Sequence, residues 1–317
     1  MVVVGGITRL THSGLSIVEW QPIVGAIPPL NDAQWEAAFA KYRQTPEFRL
    51  RNHDMTLPGF KGIFWWEYAH RLLGRVIGLV FFIPFVYFLA RRRLEAPLAW
   101  KLAGVFALGA LQGFIGWYMV ASGLVADPRV SQFRLAAHLG LAFAIYGLML
   151  WIALGLLHPR TSPRGEGRLR AFSTALVAVV FVMVLTGALV AGIRAGYAYN
   201  TFPLMNGHLV PPEIFMIEPW WKNFGYNMAT VQFDHRAIAW LLALLVPFAW
   251  WRVARAADSP PPARRWAHAT LAAFAVQFTL GVITVLAGVP LAAAALHQAG
   301  AVVLFTCVIG LCHALRA

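Results

Sequence analysis

The chain has 317 residues, of which 59% are hydrophobic and only 12% charged, and its mean hydropathy is +0.63. A soluble domain carries about twice that charged share, so the composition excludes a disordered chain, a disulfide scaffold and an ordinary water-soluble enzyme, and points to an all-α polytopic membrane protein. The net charge of +13 is no nucleic-acid footprint, because half of the 26 basic residues are gathered in short segments: Arg91, Arg92, Arg93 and Lys101; Arg160, Arg164, Arg168 and Arg170; Arg252, Arg255, Arg264 and Arg265; and Arg316. Only Glu95, Glu166 and Asp258 offset them there. Basic segments that recur after every second apolar stretch mark the cytosolic side of a membrane protein.

In chain order, Met1 to Ile7 is apolar but too short to span. It reads as the outer half of a first helix that begins upstream of Met1. Loop 11–62 follows, with Trp35, Ala38, Phe39 and Tyr42 at helical spacing between Asn31 and Tyr42; this predicts a short helix lying on the membrane surface. Seven spans are expected at about 63–90, 98–121, 133–157, 171–194, 229–251, 267–288 and 293–315. Each holds the ~20 apolar residues a bilayer requires, and each must be helical to satisfy its backbone in lipid. Loops 91–101, 158–170 and 252–265 then face the cytosol. Loops 11–62, 122–132, 195–228 and 289–292 face outward, and 195–228, rich in Pro, Trp and Asn, fits an ordered lid. The two cysteines, Cys307 and Cys312, both lie in the last span and read as apolar core thiols, so no loop disulfide is available.

Four of the ten histidines stand at matching depth near the outer ends of apolar spans: His70, His138, His235 and His297. The text around them repeats. Glu67-Tyr-Ala-His70-Arg71 matches Gln232-Phe-Asp-His235-Arg236, and the glycine-flanked stretch Gly5 to Gly14 matches Gly187 to Gly196. Two imidazoles on facing helices of a four-helix unit suit one heme iron; a structural or proton-relay role is the alternative, and zinc would need a third ligand in each set. The halves are not chemically equal: Glu67 stands where the second half has Gln232. A carboxylate beside one ligand can move protons where an amide cannot; alternatively, Glu67 pairs with Arg71 or Arg75. Arg71, Arg75 and Arg236 are candidates for heme propionates or for snorkelling anchors. Gly281, with Gly74, Gly78, Gly109, Gly113 and Gly288, is expected to serve close helix packing.

Four segments together resemble the heme A synthase family: Thr8-Arg-Leu-Thr-His-Ser-Gly-Leu-Ser-Ile-Val-Glu-Trp20, Phe64-Trp-Trp-Glu-Tyr-Ala-His-Arg-Leu-Leu-Gly-Arg75, Tyr199-Asn-Thr-Phe-Pro-Leu-Met205 and Val231-Gln-Phe-Asp-His-Arg236. The match runs from about Gly5 to Phe305 and is nearest the subtype without loop cysteines. The resemblance implies eight transmembrane helices, the first truncated here, in two pseudo-symmetric four-helix bundles. The N-terminal half, 1–157 including loop 11–62, would bind the substrate heme, and the C-terminal half, 171–317, would hold a heme b cofactor, with 158–170 as a cytosolic linker. It implies oxidation of a porphyrin methyl of heme O to a formyl group, giving heme A for cytochrome oxidase. His70 and His138 would serve the substrate, His235 and His297 the heme b iron, and Glu67 would be the essential glutamate. The implied setting is the bacterial cytoplasmic membrane, with heme sites toward its extracytoplasmic side. Partners would be lipid, heme O synthase, cytochrome oxidase assembly factors and an electron donor the sequence does not identify; nucleic acid is not among them. The competing function is a diheme b-type electron-transfer subunit of a quinol oxidoreductase. A transporter is less well supported, because paired mid-bilayer helix breaks are missing from the sequence.

Overall fold

The computed structural model describes residues 1–125, 127–159, 167–257 and 259–316. Arg160, Arg164, Glu166 and Asp258 of the basic segments, with most of the linker 158–170, lie outside the described residues. Eleven α-helices are formed among the described residues: α1 (Val2–Leu10), α2 (Asp32–Tyr42), α3 (Pro46–Arg51), α4 (Leu57–Ala90), α5 (Ala96–Ala121), α6 (Gln132–Leu157), α7 (Gly167–Gly192), α8 (Asn223–Tyr226), α9 (Met228–Arg255), α10 (Pro261–Leu286) and α11 (Leu291–Ala314). There is no β-strand among them, only a single bridge between Met205 and His208.

The seven helices α4, α5, α6, α7, α9, α10 and α11 are each long and apolar enough to cross a bilayer. The protein is thus a multi-pass membrane protein, and each span overlaps its sequence expectation, although α4 and α10 begin six residues earlier than expected. Local chemistry sets the ends. α4, α5 and α10 open with proline in the first turn, where its missing N–H costs nothing. α4 stops at the Arg91-Arg92-Arg93 run, which lipid would not accept.

The chain forms two compact units, Met1–Arg134 and Leu135–Ala317. In the first, α4 is the spine. Its 34 residues make a rod of about 51 Å against a ~30 Å hydrocarbon core. Counting ~20 residues back from Ala90 puts the hydrocarbon edge near Arg71, so the turns carrying Phe60 and Phe64 stand clear of it. α2 forms where the spacing predicts, capped by Asn31, whose Oδ1 accepts from the Gln34 N–H at 2.9 Å. Its apolar face is not laid on lipid, however. Trp35, Phe39 and Tyr42 are buried against Phe60, Phe64 and Tyr68 of α4, with the Trp35 and Phe64 rings 4.9 Å apart. The protruding end of α4 offers these aromatics a protein partner, so the membrane surface is not needed to cover them.

In the second unit α7, α9, α10 and α11 pack as a four-helix ring in which α9 touches α7 and α10, and α11 touches the same two. α9 and α11 therefore occupy opposite corners. α6 lies against α7 and α11: its Phe143 ring meets Phe305, and Tyr146 Oη lies 2.6 Å from Thr306 Oγ1. Cys307 and Cys312 are buried free thiols in α11.

Candidate functional site

In the first unit, Glu67, His70, Arg71 and Arg75 share one side of α4, the last three lying three, four and eight positions after Glu67. The chain after α1 is laid along that side. Glu67 is 2% exposed, and its carboxylate accepts four hydrogen bonds. Oε2 takes the Ser16 hydroxyl at 2.7 Å and the Ile17 N–H at 2.8 Å. Oε1 takes Arg71 Nη2 at 2.6 Å and Nε at 3.1 Å. This donor set fits the ionised carboxylate, which alone offers that many lone pairs without a proton of its own. Arg71 also donates to the carbonyls of Ile17 (2.8 Å) and Glu19 (3.1 Å). One turn further along, Arg75 donates to Gln21 O at 2.9 Å and Pro22 O at 2.8 Å. Tyr68 Oη donates to Ala26 O at 2.7 Å. The loop thus descends α4 to the depth of Arg75 and climbs back. His70 is half-buried, and its ring faces Gly5 of α1: a Cβ on Gly5 would come within 2.8 Å of His70 Cε1.

The second unit repeats this with its own residues. α9 carries Gln232, His235 and Arg236, each 165 positions after Glu67, His70 and Arg71. Arg236 donates to Tyr199 O at 2.7 Å and Thr201 O at 2.8 Å. Those acceptors lie 182 positions after Ile17 and Glu19, the acceptors of Arg71. The His235 ring faces Gly187, 182 positions after Gly5, and a Cβ there would reach within 3.1 Å of Cε1. Even the helix ends correspond: α1 and α7 are each followed by a left-handed residue, His12 at φ 54° and Arg194 at φ 59°. The sequence repeat is therefore a repeat of contacts.

Within that repeat two differences stand out. Gln232 donates to Tyr199 O at 3.2 Å, while its buried Oε1 has no hydrogen-bond partner among the described residues. The fourfold lock around Glu67 has no counterpart there. His235 in turn has a partner from α7: Thr186 Oγ1 lies 3.0 Å from Nδ1. Such a contact fixes the ring and leaves Nε2 available for a metal. His297 of α11 faces Gly281 of α10, where a Cβ would come within 2.9 Å of Cε1, and its Nδ1 is buried without a hydrogen-bond partner among the described residues. Gly281 thus makes room for an imidazole, beyond the helix packing expected of it.

Every candidate site residue stands on a helix. His235 and His297 fall in one unit, on opposite corners of one four-helix ring, and their half-buried imidazoles fit two axial ligands of a heme. His138, in the second turn of α6, is half-buried and belongs to the second unit, whereas His70 belongs to the first. Glu67 pairs with Arg71, not Arg75. Sequence reasoning missed Ser16, the Ile17 N–H and Thr186. Ser16 sits in one of the segments that carry the family resemblance, but nothing in its spacing tells that it meets α4.

The model of the cytochrome oxidase assembly protein family COX15-CtaA matches residues 1–309. The chain belongs to the COX15-CtaA family. Its relatives carry the name heme A synthase. One from Nitrosospira multiformis is 60% identical, over 100% of this chain and 89% of the relative. One from Nitrosomonas eutropha is 56% identical over 99% and 89%, and one from Paracoccus denitrificans 49% identical over 100% and 84%. At these identities and coverages the COX15-CtaA membership extends through both clamps.

Proposed function

We propose that this chain is a heme A synthase that oxidises a porphyrin methyl of heme O to the formyl group of heme A. The observation that carries the reading is a chemical asymmetry in a duplicated clamp. Two histidine–arginine–glycine sites follow one plan, and only the first adds a buried, fully hydrogen-bonded carboxylate, Glu67. Two hemes serving electron transfer alone would not call for that difference. His70 and His138 are assigned to the substrate heme, and His235 and His297 to a resident heme b, whose iron supplies reversible one-electron chemistry. Thr186 and Gly187 hold the His235 ring, and Gly281 holds that of His297. Glu67 holds the loop at Ser16 and Ile17 beside His70 and keeps a fixed negative charge where the methyl is to be oxidised. Arg71, Arg75 and Arg236 are assigned to the propionate end. Arg75 is the best placed of them, since its buried Nη1 has no partner among the described residues.

The assignment fits the bacterial cytoplasmic membrane, with the basic segments cytosolic and both clamps toward the extracytoplasmic side. Heme O synthase and cytochrome oxidase assembly factors are the corresponding partners. The test is pigment extraction from membranes after co-expression with a heme O-producing enzyme. Heme A should appear with this chain and vanish with His70→Ala. Two exchange-inert hemes b, with neither heme O nor heme A, would instead identify a diheme electron-transfer subunit.

A further inference from the structure

Outside the two clamps, one buried carboxyl has no part in either. Glu47 of α3 is 3% exposed. Its Oε2 accepts from the Tyr42 hydroxyl at 3.4 Å, and that oxygen in turn accepts from Asn52 Nδ2 at 2.7 Å. Tyr42 has no exposed surface and Asn52 is half-buried, so the three side chains form one hydrogen-bonded cluster between α2 and the end of α3. The contrast with Glu67 is large: four close donors there, one long one here. Burial pushes the Glu47 carboxyl up to about 7. Within that balance the Glu67 charge on α4 also acts upward, while the Tyr42 hydroxyl of α2, Arg51 of α3 and Arg9 of α1 act the other way. The Tyr42 phenol is itself pushed up by burial and stays neutral.

We propose that Glu47 is the proton-exchanging carboxyl of the first unit: it takes up a proton from solvent water and releases it again as the charge around Glu67 changes. The step is proton exchange alone. A carboxylate gains H⁺ and becomes the neutral acid; no electron moves and no co-reactant beyond water is needed. Its purpose rests on the heme A synthase reading, because oxidising a C–H bond in a low-dielectric site releases protons that must leave. Glu47 touches no part of either clamp, and its link to Glu67 is the through-space effect of charge alone.

The test compares the full-length protein with Glu47→Gln and Glu47→Asp. Infrared spectra of purified protein from about pH 5 to about pH 9 should show a protonated-carboxyl band that titrates near neutrality, is lost in Glu47→Gln and is shifted in Glu47→Asp. The rate of heme A formation in heme O-loaded membranes should show an inflection near neutral pH that Glu47→Gln abolishes and Glu47→Asp restores. An unchanged spectrum and pH profile in Glu47→Gln would overturn the proposal. A protein that forms no heme A yet shows the Glu47 band would overturn the synthase reading and leave the proton exchange standing.

Discussion

At the scale of single residues, Glu67 combines two duties that a carboxylate can hold together. It fastens the chain after α1 to α4, and it fixes a negative charge one turn from His70. Glu67→Gln keeps the size but loses the charge-assisted pairing with Arg71. Heme A formation should fall sharply, while heme b content measured by its low-spin spectrum stays near normal. Ser16→Ala separates the duties. It removes one donor to the carboxylate and should lower the stability of the first unit by about 1.5–3 kcal/mol, read as earlier thermal unfolding or proteolysis within loop 11–56, with the Glu67–Arg71 pair intact. Glu47 gives stability a pH dependence of definite sign. Its folded-state value near 7 lies above the 4.5 of the free side chain. Between those values the folded protein holds a proton that the unfolded chain has lost, so stability falls as pH rises from about 4.5 to about 7. Glu47→Gln should unfold at higher temperature than the parent at pH 8 and show no gain at pH 4; equal shifts at both pH values would remove Glu47 from this account.

Helices act here by offering glycine to histidine. α1, α7 and α10 each place a glycine against an imidazole, so that the backbone of one helix touches the ring of the next. A methyl at Gly187 or Gly281 would stand 3.1 Å or 2.9 Å from Cε1, closer than the ~3.5–4.0 Å of ordinary carbon contacts. The ring must move, and axial ligation tolerates little movement. Gly187→Ala and Gly281→Ala should therefore lower heme b content or shift its absorption and potential, and Gly281→Ala the more strongly. Gly109→Ala in α5, with open space around it, should change neither. Optical spectra of the purified variants read all three. α2 teaches a related point. Its amphipathic pattern is plain in the sequence, but the partner of its apolar face is not, because a stripe of aromatics suits lipid and protein alike.

For the whole molecule, the repeat organises function by giving two sites one plan and different chemistry. His235→Ala or His297→Ala should each remove the tightly held heme b without unfolding the seven spans, since a half-buried ring on one helix does not support the ring of four helices. A mutant keeping a full low-spin b spectrum would show the assignment to be wrong.

The seven spans, their ends, the basic segments and the histidine repeat were legible in the chain alone, because lipid imposes length, helicity and the exclusion of charge residue by residue. The glutamate–glutamine difference was legible too, as soon as the two halves were aligned. Tertiary structure alone decided what those residues touch. The Ser16 and Ile17 donors to Glu67, the carbonyls held by Arg71 and Arg236, the Thr186 bond to His235 and the burial of Glu47 join residues 35 to 54 positions apart or lie under loops with no periodic pattern. Such contacts depend on where a loop runs in space. Local sequence pattern records the face a helix presents, but it does not record which loop comes to cover it.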